Sequence, residues 1–173
     1  MNKKLIRKLN NDNKGFSIAE MLIAVLIVLM VSGVIAAGMP VAANAYRKVT
    51  DSANAQLLLS TTVSELREEL GEASDVTHTA STRVINYTST VGGASKIEFK
   101  DDGVYITAEN VNSGSERLLV SGKASAGMVF KVTKLEYSGG VLTLTGVKVT
   151  RIGKDDELAS LKDGLTIRVI GGK

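Results

Sequence analysis

The residue in the most unusual chemical setting is Glu20, a carboxylate near the start of the apolar stretch NKGFSIAEMLIAVLIVLMVSGVIAAGMP at positions 13–40. A charged side chain inside a membrane-spanning helix costs about 2.5–3.5 kcal/mol on insertion scales, and such residues usually have a partner or a function. The chemistry open to Glu20 is ion pairing with a cation or an amine. What that cation is depends on the surrounding segment.

Other reactive side chains are few. The chain has no Cys and a single His, which excludes disulfides, a Cys nucleophile and a zinc site built from Cys and His. His78 lies in the polar run SDVTHTAST, and we predict that it is a surface residue in a loop. Ser and Asp are plentiful, but no G-x-S-x-G motif is present. We therefore predict that the protein is not an enzyme and has no cofactor or metal site.

Two turns carry paired acids, KDDG at 100–103 and KDDEL at 154–158. Their spacing matches no known calcium loop, so we interpret them as solvated turn residues. The sequence NYT at 86–88 satisfies the N-glycosylation pattern, and we interpret it as a chance match.

The positive charge is concentrated at the N-terminus. The first fourteen residues carry five Lys and Arg against Asp12, a balance of +4, so in a chain with total charge +3 the remainder carries −1. The body therefore has no basic surface of the kind that binds nucleic acid. Positive residues beside a spanning segment stay on the cytoplasmic side, which predicts that residues 1–15 are a cytoplasmic leader.

A long helix follows the leader. Between Phe16 and Ala43 the only charge is Glu20, and this length of helix is enough to cross a bilayer core of about 30 Å. Residues 16–43 are thus predicted to form a transmembrane helix. Residues 44–71 continue as an amphipathic helix whose apolar face is expected to comprise Leu59, Val63, Leu66 and Leu70, ending at Gly71. Arg67, Glu68 and Glu69 are expected to face away from it.

Residues 72–173 show short β-branched runs separated by turns. We predict strands at 82–88, 96–100, 104–108, 128–138, 141–150 and 165–170, with hairpins at Asp101–Gly103 and Gly139–Gly140. The Ser- and Gly-rich stretches 89–95 and 112–127 are predicted to be loops. The predicted fold class is α+β, with the amphipathic half of one long helix packed on a mostly antiparallel sheet.

Three interpretations of the N-terminus are open. A cleaved signal peptide is supported by the A-x-A arrangement of Ala43 and Ala45, but its apolar region would be too long. A plain membrane anchor explains the length and leaves Glu20 unexplained. The third rests on KGFSIAEMLIAVLIVL, which closely resembles the cleavage and methylation signature of type IV prepilins and pseudopilins. In that family a basic leader ends in Gly, the next residue is N-methylated, and a Glu stands fifth in the mature chain; here these are Gly15, Phe16 and Glu20.

The resemblance implies a mechanism and a ladle-shaped fold. A prepilin peptidase would cut between Gly15 and Phe16 and methylate the new amine. Glu20 would then pair with its own amine or with that of a neighbouring subunit, setting the register of a helical filament. Gly33, Gly38 and Pro40 resemble the region that unwinds during assembly in this family, or they mark only a kink at the membrane boundary. Many Gram-negative pilins close a C-terminal loop with a disulfide, which a chain without Cys does not form.

The implied function is a structural subunit, a minor pilin or pseudopilin of a pilus, secretion or competence filament. The implied partners are the peptidase and methyltransferase, other pilin subunits, a membrane-embedded assembly platform and membrane lipid. The implied location is the cytoplasmic membrane, with the N-terminus inside, and then a filament at the cell surface. The alternatives are a major pilin, a secreted binding protein released after Ala45, and a membrane-anchored interaction domain.

Overall fold

A computed structural model describes residues 15–79, 83–120 and 125–170. The chain divides into two compact units, one ending at Arg47 and the other beginning at Lys48. Among the described residues, the first contains helix and the three residues before it. Those of the second contain the end of that helix, eleven strands and a short 3-10 helix at Asn112–Gly114.

The first unit is dominated by the helix α1, which begins at Ile18 and ends at Gly71 in the second unit. Every residue of α1 up to Val49 is exposed. Among the described residues, α1 is the one helix long and apolar enough to cross a membrane, with a mean hydropathy of 2.7 over its most apolar window. Gly33, Gly38 and Pro40 all lie within α1, so the helix is not broken there in the single subunit. Unwinding of this segment remains a prediction about the assembled state.

In the second unit, α1 packs one face against the strands. The fully buried positions are Ala55, Leu58, Thr62, Leu66 and Leu70, which recur at three- and four-residue intervals. The helix ends at Gly71 and buries one face, but that face is rotated relative to the predicted one. Leu59 and Val63 lie at the margin of the core, because Leu58 and the hydroxyl-bearing Thr62 occupy its centre.

The Thr62 hydroxyl donates a hydrogen bond of 2.8 Å to the Leu58 carbonyl oxygen within the helix. That internal bond makes Thr62 acceptable in an apolar interface, since its polar atom needs no outside partner. A pattern based on Leu and Val alone therefore misplaces the face.

Five strands form one antiparallel sheet in sequence order. They are β1 (Ser74–Thr79), β2 (Val84–Ser89), β3 (Gly93–Lys100), β4 (Gly103–Ala108) and β5 (Arg117–Leu118). Apolar residues on alternate positions of β2, β3 and β4 face the core, which the period of two along a strand requires. The hairpin at Asp101–Gly103 is confirmed as the turn between β3 and β4.

Six further strands form two three-stranded antiparallel sheets. They are β6 (Met128–Lys131), β7 (Lys134–Ser138), β8 (Val141–Thr145), β9 (Val147–Arg151), β10 (Glu157–Leu161) and β11 (Leu165–Arg168). The strand orders are β10-β9-β6 and β11-β8-β7. Gly139 and Gly140 form the turn between β7 and β8, with φ of 59° and 74° as a type I′ hairpin needs.

The single strands predicted at 128–138 and 141–150 are wrong, because this long hairpin bends in its middle. Gly146 has φ +63°, and a Cβ there would lie 2.3 Å from the Thr133 hydroxyl oxygen. At the bend the buried positions shift from even to odd numbers in both strands, from Leu144 to Val147 and from Val132 to Leu135. β6 and β9 thus belong to one sheet, and β7 and β8 to the other.

Three strands were absent from the prediction. β1 is rich in polar residues and contains a bulge with Asp75 at φ 51°, so its alternation is interrupted. β5 has two residues within the predicted loop at 112–127, and β10 contains only Leu158 and Leu161 as large apolar residues. All three derive their strand structure from pairing with a stronger neighbour. The α+β fold class is confirmed, with α1 packed on antiparallel sheets.

Candidate processing and assembly site

Two hydrogen bonds from backbone N–H groups to side chains cap the N-terminus of α1. The Ser17 backbone N–H donates to Oε2 of Glu20 at 2.9 Å, and the Ala19 N–H donates to Oγ of Ser17 at 3.2 Å. Ser17 stands immediately before the first helical residue, and Glu20 is the third residue of the helix. These are the positions of a capping box, in which each side chain accepts from a backbone N–H of the first turn.

The cap gives Glu20 a local partner within its own chain. The first N–H groups of a helix have no intrahelical acceptor and carry partial positive charge, so a carboxylate in the first turn is stabilised there. Sequence reasoning overlooked Ser17, although the S-x-x-E spacing of residues 17–20 is the known signal for this cap. The cost of Glu20 is thus partly offset before any second molecule is present.

The residues on either side of the expected cut lie just outside α1. Gly15 and Phe16 precede the helix and are exposed, Phe16 by 84%. A Cβ on Gly15 would meet no atom within 4 Å. Of the expected leader at residues 1–15, only Gly15 is among the described residues.

The apolar surface that follows is unusually extensive. Sixteen large apolar side chains between Phe16 and Val41 are each more than half exposed. They are Phe16, Ile18, Met21, Leu22, Ile23, Val25, Leu26, Ile27, Val28, Leu29, Met30, Val31, Val34, Ile35, Met39 and Val41. Because fully burying one such side chain stabilises a protein by about 1.5–3 kcal/mol, this surface needs lipid or protein around it.

Polar contacts connect the C-terminal end of α1 to the five-stranded sheet. The Tyr87 hydroxyl donates to Oε2 of Glu69 at 3.1 Å, and the Arg117 guanidinium lies 3.9 Å from the other oxygen of Glu69. Burial of Tyr87, reinforced by the negative charge of Glu69, raises the pKa of its phenol. Glu69 therefore contacts the sheet, contrary to the prediction that it faces away.

A second polar contact lies nearer the start of the same helical segment. Arg151, at the end of β9, donates to the carboxylates of both Asp51 in α1 and Asp156 in the following turn. The hydrogen bond to Asp51, aided by both negative charges, raises the pKa of Arg151. One guanidinium therefore links the helix to the β9–β10 hairpin.

The prediction that His78 lies in a loop needs correction. His78 lies in strand β1, opposite Ile85, and is half-buried; it is not in a loop. The residues around His78 are polar except Val76, so they give little strand signal, and β1 is a strand because it pairs with β2. Asn86 of the NYT pattern lies in β2.

The turn acids have side-chain partners as well as contact with solvent. Asp155 accepts from Lys148 at 2.8 Å, which lowers the pKa of its carboxyl group, and Asp102 accepts from the Tyr105 hydroxyl at 2.8 Å. Within residues 15–79, 83–120 and 125–170, no group of three or more His, Asp or Glu side chains is arranged to hold a metal ion.

Comparison with known proteins agrees with the N-terminal geometry. No curated protein and no solved structure shows a significant similarity to the chain. Residues 10–38 match the family model described as the prokaryotic N-terminal methylation motif. This segment contains the capped helix start and most of the exposed apolar surface, and it is the signal of type IV pilins and pseudopilins. The match covers only this N-terminal segment, and it supports a type IV pilin-like or pseudopilin subunit.

Proposed function

We propose that the protein is a minor pilin or pseudopilin, cut between Gly15 and Phe16, methylated on Phe16 and assembled into a filament through α1. The observation that carries the proposal is the coincidence of the methylation motif with an exposed, capped apolar helix. The proposed location is the cytoplasmic membrane with the basic leader inside, followed by a filament at the cell surface or outside the cell.

The cap supplies a mechanism for the role of Glu20. In the uncut chain the nitrogen of Phe16 is a neutral amide, and Glu20 accepts from the next backbone N–H at Ser17. Cleavage turns the Phe16 amide into a protonated amine. This amine is one residue before Ser17, whose backbone N–H Glu20 already contacts. A full positive charge is a stronger partner than a backbone dipole in a medium of low dielectric constant. Glu20 then pairs with this amine or with that of a neighbouring subunit.

The apolar residues of α1 serve two successive environments. In the membrane they contact lipid, and in the filament they pack against the same segment of other subunits. The partners that act on this segment are the prepilin peptidase and methyltransferase, the membrane-embedded assembly platform and other pilins. Unwinding near Gly33, Gly38 and Pro40 belongs to the assembly step, since proline leaves one helical carbonyl without its usual donor.

The test is the N-terminus of the mature protein, determined by mass spectrometry on membranes from cells with and without the peptidase. The expected product begins with N-methyl-Phe16 and appears only when the peptidase is present. A mature chain beginning at Tyr46 would indicate a secreted protein, and an intact Met1 in peptidase-positive cells would indicate a plain anchor.

A major pilin is the second candidate within the same class. Its defining property is abundance, so quantification of the protein in sheared filaments separates it from a minor subunit. A trace amount relative to the principal subunit is expected for a minor pilin or pseudopilin.

A further inference from the structure

A cleft of ≈ 750 Å³ lies between the end of β1 and the strand β7. The lining residues include all five residues of β7 together with His78 and Arg83. Clefts that bind ligands generally have volumes of roughly 300–1,000 Å³. The size is therefore suitable for a segment of about six residues or for a small molecule.

One edge of β7, the side that does not face β8, pairs with no other described strand. β7 pairs with β8 from Lys134↔Thr145 to Ser138↔Val141, and among the described strands it has no second partner. In a two-residue hairpin the residues flanking the turn form a hydrogen-bonded pair, so Ser138, Glu136 and Lys134 direct their backbone groups to β8. The N–H and C=O groups of Leu135 and Tyr137 consequently point away from β8.

The charged side chains of the cleft are mainly cationic. Arg83 lies 3.8 Å from Asp101, whose side chain is 96% exposed, so this distant pair leaves the guanidinium available. Lys134 contacts Glu136 at 2.6 Å, and both side chains are more than half exposed. Arg83 and Lys134 against Glu136 give the lining a net charge of +1 with His78 neutral, and this charge favours a negatively charged occupant.

We propose that this cleft binds an extended acidic peptide segment of a partner protein, which adds to β7 as a further antiparallel or parallel strand. The backbone groups of Leu135 and Tyr137 that point away from β8 supply main-chain hydrogen bonds, and Arg83 and Lys134 select carboxylate side chains. A sugar acid of similar charge uses the cations but not the regularly spaced backbone groups. The strand edge is the observation that favours a peptide.

The experiment measures binding of labelled peptides to the full chain in lipid nanodiscs by fluorescence anisotropy. The probe is an acetylated and amidated Val-Glu hexapeptide of alternating sequence. One control has the same sequence with alternate backbone nitrogens methylated, and the other replaces each Glu with Lys. Saturable binding of the Val-Glu peptide is expected, with binding at least about tenfold weaker for both controls.

Two variants locate the binding on the protein. Arg83→Gln together with Lys134→Gln removes the selecting charges and is expected to weaken binding by about tenfold or more, whereas Lys162→Gln on the β10–β11 turn leaves binding unchanged. Tyr137→Pro removes an edge N–H that β8 does not use, and it should abolish binding, while Tyr137→Phe should retain it. Absence of binding, equal binding of the methylated or Lys peptide, or full binding by the Gln or Pro variants would overturn the proposal.

Discussion

The two halves of α1 differ in what surrounds their apolar side chains. Before Arg47 the helix is apolar on all sides and every residue is exposed, whereas after Lys48 a single face is buried against strands. A helix that is apolar all round is stable only in lipid or inside a protein assembly, while an amphipathic helix can bury its single apolar face within its own domain. One half of the same helix therefore folds with the subunit, and the other half needs lipid or other subunits around it.

The hydrogen-bond partners of the polar residues also differ between the two halves. Glu20 forms its hydrogen bond within the first turn of the helix, and Asp51 and Glu69 bind side chains on the strands. Loss of Glu20 should consequently affect assembly, and loss of residues in the second half should affect folding. Four predictions test this separation, from the largest expected effect to the smallest.

Glu20→Ala should leave cleavage intact and strongly reduce incorporation into filaments. Leaving a buried charge without its partner costs on the order of 3–5 kcal/mol, which corresponds to about a hundredfold or more in equilibrium. The measurement is immunoblotting of sheared filaments against membrane fractions, with mass spectrometry of the N-terminus. Ser17→Ala removes only one half of the cap and serves as the milder control. Normal incorporation of the Glu20→Ala subunit would contradict the pairing role.

Leu66→Ala should destabilise the second unit by roughly 2–5 kcal/mol, because removing this fully buried side chain leaves a cavity in the core. Leu57→Ala removes an equal volume from the same helix where the side chain is 62% exposed, and its effect should be within about 0.5 kcal/mol. Chemical unfolding of the full chain in detergent micelles, followed by circular dichroism, measures both. Equal effects would show that the helix does not bury the face described.

Gly146→Ala should destabilise the domain more than Gly153→Ala does. Both glycines have positive φ, +63° and +75°, so each alanine incurs about 1–2 kcal/mol of backbone strain. Only Gly146 also faces a close neighbour, Thr133, and the crowding should add about 1–3 kcal/mol. The same unfolding measurement gives the difference, and a double variant with Thr133→Gly should recover part of it.

Tyr87→Phe should cost about 1 kcal/mol by removing the hydrogen bond to Glu69. Burial and Glu69 raise the pKa of Tyr87 in the folded state, so its contribution is complete below the unfolded value of about 10. Above that pH the unfolded state loses its proton first, and stability falls by up to about 1.4 kcal/mol per pH unit. Unfolding from pH 8 to 11 should show a steeper decline for the native chain than for Tyr87→Phe. Parallel curves would contradict the coupling.

The sequence predicted those elements that a strong local pattern specifies. The apolar run after Glu20, the turn at Gly139–Gly140 and the alternating strands β2 to β4 each combine residue type with spacing, and all are present. The S-x-x-E cap was also available in the sequence but was overlooked beside the more conspicuous charge. In principle the shift of apolar positions around Gly146 was visible too.

Other features depend on tertiary contacts that no local pattern contains. β1 and β10 are polar strands held by their neighbours, and His78 is in a strand because Ile85 pairs with it. The ion pair between Asp51 and Arg151 joins residues far apart in the chain. The position of Thr62 in the buried face depends on a hydrogen bond to Leu58, which residue type alone does not reveal.

The bend at Thr133 and Gly146 also determines how this domain can tolerate change. In an uninterrupted hairpin, one inserted residue would turn every later side chain to the opposite face. Here the bend already contains such a shift in both strands, and each side of it keeps its own register, with β10-β9-β6 or with β11-β8-β7. The two small sheets therefore behave as separate modules on one hairpin, and the length or surface of one can diverge without altering the packing of the other.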